Sequence, residues 1–168
     1  MKNLYLMRHA TSDWSDTTVS DEERTITLQG YTDIDSIAYH LNQQGIKPEL
    51  IVSSCAIRAQ ETSLALAKFL HYTDKIHYLK EFYLASAQRM QETITLQPNE
   101  CDNIFIIGHD RQLREFIEAI TKEKVSKIPT SSVIALNLDI NHWSELEAGK
   151  GDIAFSLYPH QDEEALAS

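Results

Sequence analysis

Ile104-Phe105-Ile106-Ile107-Gly108-His109 is a run of apolar residues without alternation, closed by a glycine and a histidine. Uninterrupted runs of this length belong to strands buried on both faces of a sheet. Leu4-Tyr5-Leu6-Met7 and Leu50-Ile51-Val52 have the same character, and they are followed by Arg8-His9 and Ser53-Ser54. Between these two runs, Ile34, Ile37, Ala38 and Leu41 fall at i, i+3, i+4 and i+7, and Gly45 follows where a helix would stop. Leu113, Phe116, Ile117 and Ile120 repeat that spacing, and Leu66, Phe69 and Leu70 mark a helix over about 56–71. A strand is expected over 77–83 and a helix over 86–96, stopped by Pro98. Strands at 133–138 and 153–157, joined by a Gly-containing loop, are expected to be antiparallel. The alternation predicts an α/β protein: a single-domain three-layer α/β/α sandwich whose central sheet is mostly parallel, with antiparallel strands near the C-terminus. The domain is expected to cover 1–160, and the acidic segment 161–168 to be a flexible, solvated tail.

Bulk properties narrow the ligands. Of 168 residues, 42% are hydrophobic and 24% charged, as in one ordinary globular domain. The net charge of −10 repels nucleic acid and anionic membranes, so no partner of either kind is expected. Any anion must be held by locally gathered cations. No apolar run approaches the roughly 20 residues that a membrane span needs. The start of the chain lacks the pattern of a signal peptide, and a cytoplasmic location is expected. Cys55 and Cys101 are expected to be reduced thiols, and neither has an arginine six residues on, as cysteine-based phosphoryl transfer requires. No metal-ligand spacing is visible, so neither metal nor cofactor is expected.

Ligands of open α/β sheets bind beyond the carboxyl ends of the strands. Here those ends carry Arg8 and His9, then Ser53 and Ser54 with Arg58 one turn later, then His109. Taken singly, a strand-end histidine is more often a hydrogen-bonded structural residue, and an isolated arginine more often a solvated ion pair. Their coincidence at one sheet edge is what points to a site. Guanidinium groups meet phosphoryl oxygens with paired, permanently charged hydrogen bonds, a role that suits Arg8 and Arg58. Arg58 also lies in the first turn of its helix, where free amides attract anions. A neutral imidazole whose other N–H is held by an acceptor can attack phosphorus, and His9, directly after a rigid strand, is the better nucleophile. His109 is then a donor to the phosphoryl oxygens, worth about 3 kcal/mol of barrier for a preorganised donor.

Several stretches resemble the histidine phosphatase superfamily, and within it the short SixA-type phosphohistidine phosphatases. Leu6-Met7-Arg8-His9-Ala10 is similar to the family's Arg-His signature, and Ser12-Asp13-Trp14-Ser15-Asp16 to the loop after it. Arg24-Thr25-Ile26-Thr27-Leu28-Gln29-Gly30 resembles the Arg-Pro-Leu-Thr-x-x-Gly entry to the first helix. The stretch Pro48-Glu49-Leu50-Ile51-Val52-Ser53-Ser54, with Arg58-Ala59-Gln60-Glu61-Thr62, matches the second-arginine motif, and Ile107-Gly108-His109 the second histidine.

The resemblance implies that His9 is phosphorylated during turnover and that Arg8, Arg58 and His109 complete a metal-free phosphate pocket. It implies a phosphorylated protein as substrate, of the histidine-containing phosphotransfer type. A small phosphorylated molecule on the same scaffold, or a module that binds phosphate without turnover, are the alternatives. Glu81 holds roughly the place of the family's acidic residue after the third strand and is the candidate general acid, with Asp13 second. Ser12, Ser53 and the hydroxyls of 130–132 are candidate donors to phosphate, although hydroxyls near turns more often cap their own loops. Asp110-Arg111 departs from the Asn-Pro found after the second histidine in many short members, and places a charge pair beside the pocket.

Overall fold

The computed structural model describes residues 1–159. The expected tail, 161–168, lies outside the described residues. Six strands form one sheet: β1 (Lys2–Arg8), β2 (Leu50–Ser54), β3 (Ile76–Leu79), β4 (Asn103–Gly108), β5 (Val133–Leu138) and β6 (Gly151–Leu157), in the order β3-β2-β4-β1-β5-β6. The first four strands of that order run parallel. β5 is antiparallel to β1 and β6 antiparallel to β5. Four α-helices cover the faces: α1 (Leu28–Gln43), α2 (Ile57–Phe69), α3 (Ala87–Ile94) and α4 (Asp110–Thr121).

Successive side chains of a strand point to opposite faces, so a strand apolar at every position needs a helical layer on each side. That is the arrangement found. Leu4, Leu6, Ile104 and Ile106 pack with Phe116, Ile117 and Met90 of α4 and α3, while Tyr5, Met7, Phe105 and Ile107 pack with Ile34, Ile37 and Leu66 of α1 and α2. Local signals set the helix limits. Thr27 caps α1 by accepting from the Gly30 N–H at 3.1 Å, and Gly45 follows its end with φ +69°. Ser86 caps α3 by accepting from the Arg89 N–H at 3.1 Å. Gly30 also has a packing reason: a Cβ there would lie 3.1 Å from the Thr11 carbonyl oxygen, so its absence lets α1 approach the loop that follows β1.

One element differs from expectation. The strand expected over 77–83 covers only Ile76–Leu79, and Lys80–Phe82 form a 3-10 turn. Phe82 is buried in the core below α3 and α4, and that anchor draws the chain off the sheet edge. The β5–β6 pair is antiparallel as expected, but its connection also contains a 3-10 turn at Trp143–Glu145, with Trp143 fully buried.

Candidate active site

The sheet register brings the two histidines together. Arg8 pairs with Gly108 across the parallel β1–β4 ladder, and the His9 N–H donates to the Gly108 carbonyl at 3.0 Å. His9 and His109, each one residue beyond its strand, therefore sit side by side with ring centroids 5.2 Å apart.

His9 is 6% exposed. Its Nδ1 lies 2.7 Å from the Ala10 carbonyl oxygen, which can only accept, so Nδ1 carries the hydrogen and Nε2 keeps its lone pair. Burial, reinforced by the charges of Arg58, Arg8 and Arg24, pushes its pKa down to about 4. The ring is neutral at physiological pH, as a nucleophile must be. The Ala10 N–H, in turn, donates to Thr62 Oγ1 of α2 at 2.9 Å.

His109 precedes α4, with Nε2 2.8 Å from Ser54 Oγ at the end of β2 and Nδ1 3.5 Å from Arg58 Nη2. Burial, then neighbouring His9 and Arg58, lower its pKa to about 3. The second residue of α2, Arg58, is buried, with Nη1 donating to the Asp21 carbonyl at 2.6 Å and Nη2 to the Asp21 carboxylate at 3.1 Å. Arg8 donates through Nη1 to the Ile128 carbonyl at 2.8 Å. Arg8, His9, Arg58 and His109, named from the sequence, are thus gathered at the carboxyl end of the sheet.

Other expected residues are placed differently. Ser12 Oγ accepts from Arg24 Nη1. Asp13 turns to its own loop, accepting from the Ser15 N–H at 2.8 Å. Ser53 is fully buried and donates to the Ser54 carbonyl at 2.9 Å. Thr130 Oγ1 lies 2.9 Å from Thr11 Oγ1, while Ser131 and Ser132 are fully buried. Glu81 is half-buried in the 3-10 turn, with its carboxylate 3.6 Å from Arg89.

Asp21 and Tyr83 were not foreseen. The Tyr83 hydroxyl donates to Asp21 Oδ2 at 2.6 Å, and Arg24 donates to Asp21 Oδ1 at 2.9 Å. The Tyr83 hydrogen bond, with those of Arg24 and Arg58, holds the Asp21 carboxyl well below the ordinary carboxylate range. Burial and the same carboxylate push the Tyr83 pKa up to about 12. The only hint in the sequence was the acidic run Asp21-Glu22-Glu23 just before Arg24.

A model of the histidine phosphatase superfamily, branch 1, matches residues 4–103, more than half of the chain. The chain belongs to the histidine phosphatase superfamily. It is a phosphatase by that membership. The matched region includes Arg8, His9 and Arg58 and ends at β4, so His109 enters the site through the fold. An uncharacterized chloroplastic protein of Arabidopsis thaliana is 28% identical over 165 residues, covering 93% of this chain and 75% of that protein.

Among solved structures, the protein histidine phosphatase SixA complexed with tungstate superposes with a TM-score of 0.81 at 20% identity, covering 94% of this chain and 97% of that one. A SixA-type protein of Agrobacterium tumefaciens gives 0.80 at 25% identity, covering 94% and 98%. The mycobacterial glucosyl-3-phosphoglycerate phosphatase gives 0.68 at 15% identity, covering 91% and 97%. At the lower identities the likeness establishes the fold. Among the described residues, no cluster of three or more His, Cys, Asp or Glu is placed to hold a metal ion. No described helix is long and apolar enough to cross a membrane.

Proposed function

We propose that the protein dephosphorylates phosphohistidine on proteins through a covalent phosphohistidine at His9. The His9 hydrogen bond to the Ala10 carbonyl carries the mechanism, because it leaves Nε2 as the nucleophilic atom beside two arginines and His109. The Nε2 lone pair attacks phosphorus, the bond from phosphorus to the substrate's imidazole nitrogen breaks, and its electron pair leaves with that ring. A phosphohistidine protonated at its other ring nitrogen departs as neutral imidazole, so the step needs little help from an enzyme acid. Water then attacks the His9 phosphoramidate and releases inorganic phosphate. Arg8 and Arg58 hold the equatorial oxygens through both steps. Arg58 Nη2 can only donate, so at 3.5 Å His109 Nδ1 is its acceptor and the Nε2 hydrogen faces Ser54 Oγ at 2.8 Å. Once a phosphoryl oxygen takes over that Arg58 donor, Ser54 can donate to Nε2 and Nδ1–H can donate to the phosphoryl group.

A cleft of about 500 Å³ supports a protein as the carrier of that phosphoryl group. It opens directly from Arg58 and His109 and is lined by Tyr83, Leu84, Arg111 and Glu115. Leu84 is 82% exposed, an unusual apolar residue to leave at the mouth of a site for a small anion. Arg111 and Glu115 pair at 3.0 Å across one turn of α4, giving the other wall both charges. Such a surface suits a folded partner that presents a side chain into the cleft.

The test compares initial rates on a phosphohistidine-bearing phosphotransfer domain and on small phosphoesters, with EDTA present throughout. A higher kcat/KM on the phosphoprotein is expected. A clear preference for a small ester would transfer the assignment to a small-molecule phosphomonoesterase, and a chelator-induced loss restored by metal would overturn the metal-free mechanism. His9→Ala should reduce turnover by about 10⁴-fold or more and abolish an acid-labile, alkali-stable phosphoenzyme.

A further inference from the structure

Arg8 is the proposed phosphate ligand at the end of β1, and the conformation in which its long side chain is held needs an explanation. Its Nε is buried without a partner, and Nη1 donates to the carbonyl of Ile128. Ile128 lies in an irregular segment between α4 and β5, where no ladder or helix fixes the backbone. Two things hold it there. Its side chain is 1% exposed in the core, and its N–H donates to Asp110 Oδ1 at 2.7 Å. Asp110 is the first residue of α4, where helix polarity favours a carboxylate, and Arg114 approaches its second oxygen at 3.4 Å.

The same segment grips the backbone of Arg8 and His9. Ser131, with φ +65°, donates its N–H to both of their carbonyls at 3.2 Å, and the Arg8 N–H donates to the Ser132 carbonyl at 3.1 Å. Asp110 therefore anchors the near end of a clamp whose far end fixes the nucleophile's strand.

We infer that Asp110 is a positioning residue for Arg8, acting through the main chain of Ile128, whose N–H it holds and whose carbonyl receives the guanidinium. This rests on the reading of Arg8 as a phosphate ligand. Engaging Nη1 in this way orients the planar fork, so that its remaining donors meet the phosphoryl oxygens without first losing rotamer freedom. The Asp110 charge also supports the cation, since burial and the nearby Arg58 both act against it. The alternative is that Asp110 only stabilises the start of α4.

Isothermal titration with inorganic phosphate separates the two, read beside thermal melting. Asp110→Ala should weaken phosphate binding about tenfold, and Asp110→Asn, which keeps an acceptor oxygen for Ile128, should stay within about threefold of wild type. Asp110→Ser guards against a folding defect: it preserves a polar helix start but is too short to hold Ile128, and it should bind phosphate as weakly as the alanine variant. In an Arg8→Ala background, Asp110→Ala should change phosphate affinity by less than about twofold, because the group it positions is gone.

Equal losses with and without Arg8 would reduce Asp110 to a structural residue and overturn the proposal. Wild-type affinity in a folded Asp110→Ala or Asp110→Ser variant would overturn it as well, while leaving the phosphatase reading intact. A wild type that turned over phosphoprotein through a phosphorylated His9 yet bound phosphate independently of Arg8 would also count against this proposal alone. Absence of both turnover and phosphate binding in wild type would remove the functional reading and this proposal together.

Discussion

His9 and Tyr83 flank the same imidazole at nearly the same distance, with ring centroids 5.2 Å and 5.4 Å from that of His109, yet they arrive there by different means. His9 directly follows a seven-residue strand paired on both sides, and its backbone N–H bonds to the last carbonyl of β4. Tyr83 follows a single 3-10 turn and is joined to the site by its hydroxyl contact with Asp21. Backbone register places His9, whereas a chain of side-chain hydrogen bonds places the rim. Damage at the sheet edge should therefore cost orders of magnitude, and damage at the rim should be graded.

The largest break in that contrast is Arg58→Ala. This residue stands at the junction, positioned by α2 but bonded to Asp21 of the rim. Loss of its fork should lower kcat/KM by about 10³-fold. A loss of only a few-fold would place Arg58 with the rim and dissolve the distinction.

Acid comes next in expected effect. His9 and His109 have pKa values lowered from 6.5 to about 4 and about 3, so between those limits the unfolded chain binds more protons than the folded one. Their contribution to stability is complete above about 6.5 and is lost as the pH falls toward 3. The melting temperature should fall from pH 7 to pH 5, ahead of the range where most carboxylates titrate, and kcat/KM should show an acid limb near 4. A flat melting temperature across that window in wild type would mean that the strand-end histidines are not held neutral by burial.

A smaller effect, of opposite sign, is expected at Asp21. Its carboxylate sits in the Arg58 fork, where it opposes the charge of an incoming phosphoryl group. Asp21→Asn should therefore tighten inhibition by inorganic phosphate about fivefold, with Tyr83→Phe moving the same way by less. Weaker phosphate binding in Asp21→Asn would show that the carboxylate's main effect is to orient Arg58.

The same division explains what could be read from the chain alone. Strands β1, β2 and β4 are apolar at successive positions because both faces are covered, and that pattern is local. Once they were aligned in parallel, Arg8, His9 and His109 had to share an edge. The Asp21 contacts to Arg58 and Tyr83 span 37 and 62 residues of sequence and depend on where two loops fold over the sheet. No periodicity encodes such a meeting. The shortening of β3 has a related origin: Phe82 reads equally well as a strand residue, and only the core beneath α3 and α4 decides that it turns inward.

Glu81 offers the finest test, because sequence position gives it a role that its contacts do not require. A general acid matters in proportion to the basicity of the leaving group. An alkoxide leaving from a phosphomonoester needs a proton in the transition state, whereas an imidazole already protonated on its far nitrogen does not. Glu81 faces Arg89 at 3.6 Å, and its backbone carbonyl receives the Gln112 side chain at 2.7 Å, so Glu81→Gln keeps the main-chain anchor of the turn. With a phosphohistidine protein, kcat/KM should change by less than about threefold, whereas any residual activity on an alkyl phosphate should fall by at least about tenfold. A matching tenfold loss on both substrates would move Glu81 from the rim into the shared chemistry of the sheet edge, and would mean that phosphohistidine does not leave unaided.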